Sequence, residues 1–314
     1  MRIIRSAADM EAMKPSVATI GFFDGVHRGH RYLVKHVMEV AHEQGMESTV
    51  ITFDRHPREV LHNGFQPRML STFDEKIVLL SKTGVDNCVV LPFDEQMAAL
   101  SAHDFMAKVL CDRLKVKTLI IGYDNRFGHN RNEGFDSYAR YGREMGMDVL
   151  QGQAFVLNGV NVSSSVIRSF LQEGEVEMAE RCLGYPYTII GKVVEGEHVG
   201  TDIGFPTANL QVLDSNKLIP VAGVYAVKVR LEHSMEMKHA MMNIGNRPTF
   251  DGKKTTLEVN IFRFEGELYG EKLGVAFIHR LRAEQKFKSP AELVVQLKKD
   301  LKMVEKQFEK DLTE

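Results

Sequence analysis

Three cysteines in 314 residues, none of them in a CxxC pair, are too few and too scattered for a disulfide framework or a zinc ribbon. Cys88, Cys111 and Cys182 suit a reducing compartment, so a cytoplasmic protein is expected. The opening segment MRIIRSAADMEAMKPS has no apolar signal core, and no stretch approaches the ~18 apolar residues of a membrane helix. Neither export nor membrane insertion is therefore expected. An excess of one charge is also missing: 40 basic against 42 acidic residues leave a formal charge of -2. That balance calls for no nucleic-acid partner and no membrane surface, and nothing in the sequence implies an obligate protein partner. Any anionic ligand must be held locally. Two common nucleotide signatures, GxxxxGK[ST] and GxGxxG, are absent as well. What is present, 44% hydrophobic and 26% charged residues with 25 Gly and 9 Pro, suits a globular chain and excludes disorder and collagen-like repeats. The length exceeds what one core usually supports, which predicts two domains.

The first half alternates strand and helix. VATIGF at 17–22 reads as a buried strand, and Leu33, Val34, Val37, Met38 and Ala41 form one helical stripe before Gly45. The pattern returns with a strand at 47–53 (ESTVITF), a helix in FDEKIVLLSKTG and a strand in DNCVVLPF. A helix opened by Ser101 with Asp104 three residues on follows, then a strand at 117–122 (KTLIIG). Apolar strands between helices predict an α/β domain with a mostly parallel sheet, whose ligands sit beyond the carboxyl ends of its strands. From about residue 184 the helical period gives way to β-rich runs: YTIIGKVV, GVYAVKVRL, EMKHAMMNIG, TTLEVNIFRF and KLGVAFIHRL. These predict a small antiparallel barrel or sandwich. A last helix opens at Ser289-Pro290 and places Leu293, Leu297, Leu301, Val304 and Phe308 on one stripe.

The turn after the first of these strands carries the strongest chemical signal. Gly21, Phe23, Asp24, Gly25, His27, Gly29 and His30 belong to a ten-residue segment, GFFDGVHRGH, that runs into a helix start. Free amides and the positive end of the helix dipole favour phosphate there, and the glycines let the backbone come close. His27 and His30 flank Gly29, so both imidazoles can reach one triphosphate and bind the charge that develops at phosphorus. A plain helix cap is the simpler alternative; a metal pair lacks an acidic third ligand at suitable spacing. For VSSSVIR at 162–168 a helix cap is likewise sufficient, although Arg168 adds a fork suited to phosphate. In the second half, GFPTAN would aim Thr207 and Asn209 at one point, two neutral oxygen ligands suited to Mg2+, or it is only a turn. Glu258 stands between Leu257 and Val259, so its carboxylate either faces solvent or serves a site.

GFFDGVHRGH, TFDRHP at 52–57, GYDNRFG at 122–128 and VSSSVIR, in this order and spacing, resemble the adenylyltransferase module of bacterial bifunctional riboflavin kinase/FMN adenylyltransferases. GFPTAN, MNIGNRPTF, LEVNIFRF, LYG and RAEQKF follow in the order of riboflavin kinase domains, so the resemblance covers essentially the whole chain. It implies a Rossmann-like nucleotidyltransferase domain at 1–184 and a six-stranded kinase barrel at 185–314. It also implies ATP as co-substrate, Mg2+, and the substrates riboflavin and FMN. By resemblance His27 and His30 contact the ATP phosphates, with Ser163, Ser164 and Arg168 completing the grip, and Asp124 lies near nucleotide or flavin. Glu258 is the general base, Thr207 and Asn209 (with Gly204 and Pro206 in their turn) hold nucleotide and metal, and Arg282 and Glu284 match flavin-side positions. Three residues depart from the family pattern: Asn125 replaces an aromatic, Thr201 (followed by Asp202) replaces an arginine, and Asn260 replaces a histidine. The implied activity is riboflavin phosphorylation followed by FMN adenylylation. The alternatives are an adenylyltransferase with an impaired kinase domain, a flavin-binding protein without turnover, and a nucleotidyltransferase for another phosphate such as a pantetheine phosphate.

Overall fold

The computed structural model describes residues 1–56, 59, 68–129, 132–196, 200, 203–249 and 252–311, with side chains left out at 247–254 and from 310 onward. Pro57 and Phe250 of the motifs, and the departure at Thr201 with the Asp202 that follows it, lie outside the described residues. The chain forms two compact units, Met1–Ser164 and Ser165–Glu314.

The first unit is built on a six-stranded, all-parallel sheet in the order β1-β4-β3-β2-β5-β6. Its strands are β1 (Arg2–Ile4), β2 (Ser16–Ile20), β3 (Glu47–Phe53), β4 (Asn87–Leu91), β5 (Val116–Ile121) and β6 (Asp148–Gln151). The central strands are buried on both faces, which explains their unbroken apolar runs. Helices cover the faces: α1 (Ala7–Glu11), α2 (Arg28–Glu43), α3 (Phe73–Ser81), α4 (Glu95–Ala99), α5 (Ala102–Asp104) and α6 (Phe135–Met145). α2 buries Val34, Val37 and Ala41 of the stripe read from the sequence, together with Val40, while Leu33 and Met38 of that stripe are half-buried. α3 opens on a capping box in which the Thr72 hydroxyl accepts from Glu75 N while Glu75 accepts from Thr72 N. Ser101 caps α5 through Asp104 N, and the helix continues in wider π-type turns over Phe105–Arg113. The strands read at 17–22, 47–53 and 117–122 are β2, β3 and β5. β1 and β6 were not legible, because each is short and exists through its partner strand.

A two-stranded ribbon, β7 (Val156–Leu157) with β8 (Val160–Asn161), precedes α7 (Ser164–Glu173). Nearly all of α7, together with α8 (Val176–Leu183), belongs to the second unit. Its core is a closed antiparallel barrel in the order β10-β13-β12-β11-β14-β9. The strands are β9 (Thr188–Val194), β10 (Ala208–Val212), β11 (Gly223–Leu231), β12 (Met237–Thr249), β13 (Gly252–Ile261) and β14 (Lys272–Arg282). Five follow the β-rich runs; β10 is the sixth, starting inside the GFPTAN turn. Val224, Ala226 and Met241 face outward and are covered by Val304 and Phe308 of α9 (Pro290–Asp311).

A buried ion pair locks that helix down. Asp300 is 0% exposed and takes three hydrogen-bond contacts from the Arg282 guanidinium, at 2.8 to 3.1 Å, plus one from Gln296 at 2.8 Å. Leaving one partner of such a pair alone in the interior is expensive. Asp300→Ala should therefore cost about 3–5 kcal/mol in urea unfolding; a loss below about 1 kcal/mol would show that the pair does not anchor α9.

Candidate active sites

In the first unit the chain runs from β2 to β3 on one side, while β5 flanks β2 on the other. The sheet order thus reverses between β2 and β5, and a crevice opens beyond the carboxyl ends of these strands. The GFFDGVHRGH segment leaves β2 there. Its backbone is unusual: Phe23 (φ 56°), Gly25 (φ 75°) and Val26 (φ 34°) all have positive φ. For a β-branched residue this is strained, and such strain persists only where the surroundings enforce it. Here they do. The Asp24 carboxylate, 3% exposed, accepts from Leu70 N and Ser71 N at 3.0 Å and from Ser71 Oγ at 3.2 Å, while Gly25 N donates to Ser71 Oγ at 2.9 Å.

His27 is the N-cap of α2, its Nδ1 accepting from His30 N at 3.2 Å, which puts the neutral ring's proton on Nε2. The His27 and His30 rings stack with centroids 3.6 Å apart, and Phe23 meets His30 edge-on at 5.0 Å. Gly29 is needed for closeness: a Cβ there would lie 3.1 Å from both His27 Nδ1 and the Val162 carbonyl oxygen. The turn leading into α7 therefore abuts the start of α2, and Ser164 Oγ donates to the Asp24 carbonyl at 3.0 Å. Across the crevice Asn125 donates from Nδ2 to the Ile20 carbonyl at 2.5 Å, tying the loop after β5 to the end of β2. Asp124 beside it is exposed. So His27, Gly29, His30 and Ser164 come together. Asp24 and Phe23 are buried beneath the turn, and Arg168 lies one turn into α7.

The second site is a row across the barrel wall. Asn209 of β10 pairs with Glu258 of β13, which pairs in turn with Asn243 of β12. Directly paired residues share a face, so all three lie on the outer face, while Leu257 and Val259 turn into the barrel. Glu258 thus stands on the polar side of an alternating strand. Asn260, two residues on, donates to the Pro206 carbonyl at 2.7 Å and so holds the turn that presents Thr207. Gly196 faces Asn209 so closely that a Cβ would overlap its amide nitrogen, and a Cβ at Gly200 would stand 3.0 Å from Thr207 Oγ1. Gly204 supplies the left-handed turn (φ 78°) just before them. Arg282 is not in this group, its guanidinium being held by Asp300. Glu284 accepts from Asn246 N at 3.3 and 3.4 Å. Asn243, Asn260 and Ser71 were missed as positioning residues; register and tertiary hydrogen bonds, not local pattern, bring them in.

His30 is strongly perturbed. Its Nδ1 is sealed from solvent and has no hydrogen-bond partner among the described residues. Burial, then the neighbouring His27 and Lys76, hold its pKa well below the ordinary imidazole value. Between that lowered value and about 6.5 only the unfolded chain binds the proton, so stability falls as pH drops through this range. The expected acid-side loss of thermal stability from this group is at most about 1.4 kcal/mol per pH unit, and His30→Gln should flatten it. Parallel curves for the two proteins would assign the loss elsewhere.

Two family models match different parts of this chain. A family model described as FAD synthetase covers residues 9–166, and one described as riboflavin kinase covers residues 183–308. The bifunctional riboflavin kinase/FMN adenylyltransferase of Haemophilus influenzae is 37% identical over 302 residues, 96% of this chain and 97% of its own. The protein of the same name from Escherichia coli K12 is 37% identical, covering 96% of each chain, and that of Pseudomonas fluorescens 38%, covering 87% of this chain and 86% of its own. A crystal structure of a Streptococcus pneumoniae protein, described as a macrolide-efflux protein, has a TM-score of 0.87 and 31% identity, covering 97% of this chain and 99% of that one. Among the described residues of this chain, no helix is long and apolar enough to cross a membrane. With one family match on each half and relatives 37% identical across 96% of its length, the chain belongs to the bifunctional riboflavin kinase/FMN adenylyltransferase family.

Proposed function

We propose that this chain phosphorylates riboflavin with ATP to give FMN and then adenylylates FMN with a second ATP to give FAD, in the cytoplasm. The observation that carries the proposal is that the two family matches fall on two separate polar constellations, each equipped for a different phosphorus transfer. The functional boundary is assigned to 184/185. The compact units divide earlier, at 164/165, and residues 167–182, lying between the two matches, pack with the barrel.

In the adenylyltransferase site the attacking group is the FMN phosphate, already an anion, and the leaving group is pyrophosphate. No base is required, and positioning with charge stabilisation carries the reaction. The start of α2 supplies amides, His27 and His30 supply imidazoles, and Ser164 holds the turn through the Asp24 carbonyl; by family resemblance Ser163 and Arg168 complete the phosphate grip. Phe23 and Asp24 act through the turn they hold, with Gly21, Gly25 and Gly29 shaping it; by family resemblance the exposed Asp124 lies near nucleotide or flavin.

In the kinase site a ribityl hydroxyl must lose its proton as it attacks the γ-phosphorus, and the Glu258 carboxylate is placed to accept it. Asn209 and Asn243 flank that carboxylate in the barrel register. The Thr207 hydroxyl and the Asn209 amide are hard oxygen donors, packed where Gly200 and Gly196 leave room, and this fits a Mg2+ that keeps water and phosphate oxygens as its other ligands. Bound there, Mg2+ would neutralise phosphate charge. Gly204 and Pro206 set the turn. Arg282 acts indirectly, by fixing α9 through Asp300, and Glu284 by holding the Asn246 backbone.

Incubating the chain with riboflavin, ATP and a magnesium salt and separating the flavins tests the proposal. His27→Ala or His30→Ala should leave FMN accumulating, with FAD formation down by about 10²–10³. Glu258→Gln should lower FMN formation by about 10²–10⁴ yet still convert supplied FMN to FAD. Loss of both activities in a folded single variant would refute the division of labour. Gly196→Ala forces Asn209 aside, so FMN formation should drop at least about tenfold while supplied FMN is still adenylylated. Unchanged FMN formation in that variant would take Asn209 out of the site.

A further inference from the structure

One helix face in the first unit carries a charge where packing calls for an apolar side chain. Lys76 of α3 lies among Phe73, Ile77 and Leu80 and is 2% exposed. Its ammonium donates to the carbonyls of Phe53 at 3.0 Å and Phe22 at 3.2 Å and to Thr52 Oγ1 at 3.2 Å. It also lies 4.1 Å from the Phe22 ring centroid and 5.2 Å from that of Phe73. Thr52 and Phe53 end β3, and Phe22 opens the turn that becomes His27–His30. One buried cation therefore ties two strand ends together directly under the anion-binding turn.

Among the described residues the groups facing it are few. Asp24 approaches from the turn, Asp54 from the end of β3, and Cys88 from β4. His30 feels the ammonium from α2, while the Arg5 guanidinium lies over Phe73 and His56 meets Phe22 edge-on, at the rings that flank it. Burial pulls the Lys76 pKa down to about 8, against the pull of Asp24 and Asp54, and burial pushes the Cys88 thiol up to about 11, so Cys88 stays neutral while Lys76 titrates. A lysine whose folded pKa lies below its unfolded one opposes folding while it is charged. A position kept only for packing would be filled by leucine or methionine.

We propose that Lys76 is a positioning residue for adenylyl transfer, fixing the Phe22–Phe23 turn to the end of β3 and placing a water-excluded positive charge beneath the nucleotide phosphates. It acts through the turn and His30, not by touching substrate. This rests on assigning adenylyl transfer to the first unit.

The full chain is assayed for FAD formation from FMN, ATP and a magnesium salt between about pH 6.5 and 9.5, with riboflavin phosphorylation by the same molecules as internal control. The kcat/KM of FAD formation should fall above about pH 8 as the ammonium loses its proton, and phosphorylation should not share this limb. Lys76→Arg carries a charge that does not titrate in this range, so the limb should vanish from its profile. Lys76→Met should lower kcat/KM for ATP at neutral pH by at least about tenfold without lowering the thermal midpoint, the reverse of a merely structural residue. No FAD at any pH from the unaltered chain would overturn the reaction assignment. FAD formation that ignores Lys76→Met, or an alkaline limb that persists in Lys76→Arg or is absent from the unaltered chain, would overturn the role of Lys76 alone.

Discussion

The buried Asp24 carboxylate is the contact on which the first site depends. By engaging Leu70 N, Ser71 N and Ser71 Oγ it holds Phe23 and Val26, on either side of a permissive Gly25, in left-handed backbone that their side chains disfavour. With the turn so bent, His27 reaches the N-cap position of α2 and stacks on His30, and the helix start faces the crevice between β2 and β5. A carboxylate used in this way is withdrawn from the ligand. Its contribution is shape, and the chemistry is left to imidazoles and amides.

The second site obeys a different constraint, the register of an antiparallel barrel. Asn209, Glu258 and Asn243 come from strands far apart in the chain, yet direct pairing puts them in one row on the outer wall. A slip of one residue on β13 would turn Glu258 into the barrel and Leu257 outward. Closure of the barrel and the clamp of Arg282 on Asp300 oppose such slippage. The two sites thus solve related problems by separate means: a strained turn held by one carboxylate, and a rigid wall whose geometry is set by hydrogen-bonded pairs.

Two departures from the family pattern find partners in the structure. Asn125 bonds the Ile20 carbonyl and Asn260 the Pro206 carbonyl, so each strengthens the backbone at the edge of a site. A short amide reaches a neighbouring carbonyl where an aromatic or imidazole ring would project further. Much of this was invisible in the sequence, since neither carbonyl is a sequence neighbour of its donor. Arg282 shows the opposite outcome: its place in the motif suggested a ligand contact, whereas burial next to Asp300 commits it to α9.

Local pattern alone was enough for the parallel α/β half, the β-rich half and the closing helix, because apolar period and capping residues act over a few neighbours: Thr72 with Glu75, Ser101 with Asp104, Val34 with Val37 and Ala41. His27, Gly29 and His30 were legible for the same reason, being packed into four residues at a helix start. Short edge strands such as β1 and β6 were not, since their hydrogen bonds come entirely from partners distant in the chain. The bond between Asp24 and Ser71, the burial of Lys76 and the row of Asn209, Glu258 and Asn243 were likewise decided only by the tertiary structure. Each depends on which distant segments the folded sheet or barrel brings within hydrogen-bonding distance, and that choice is made by burial and register, not by any short stretch of sequence.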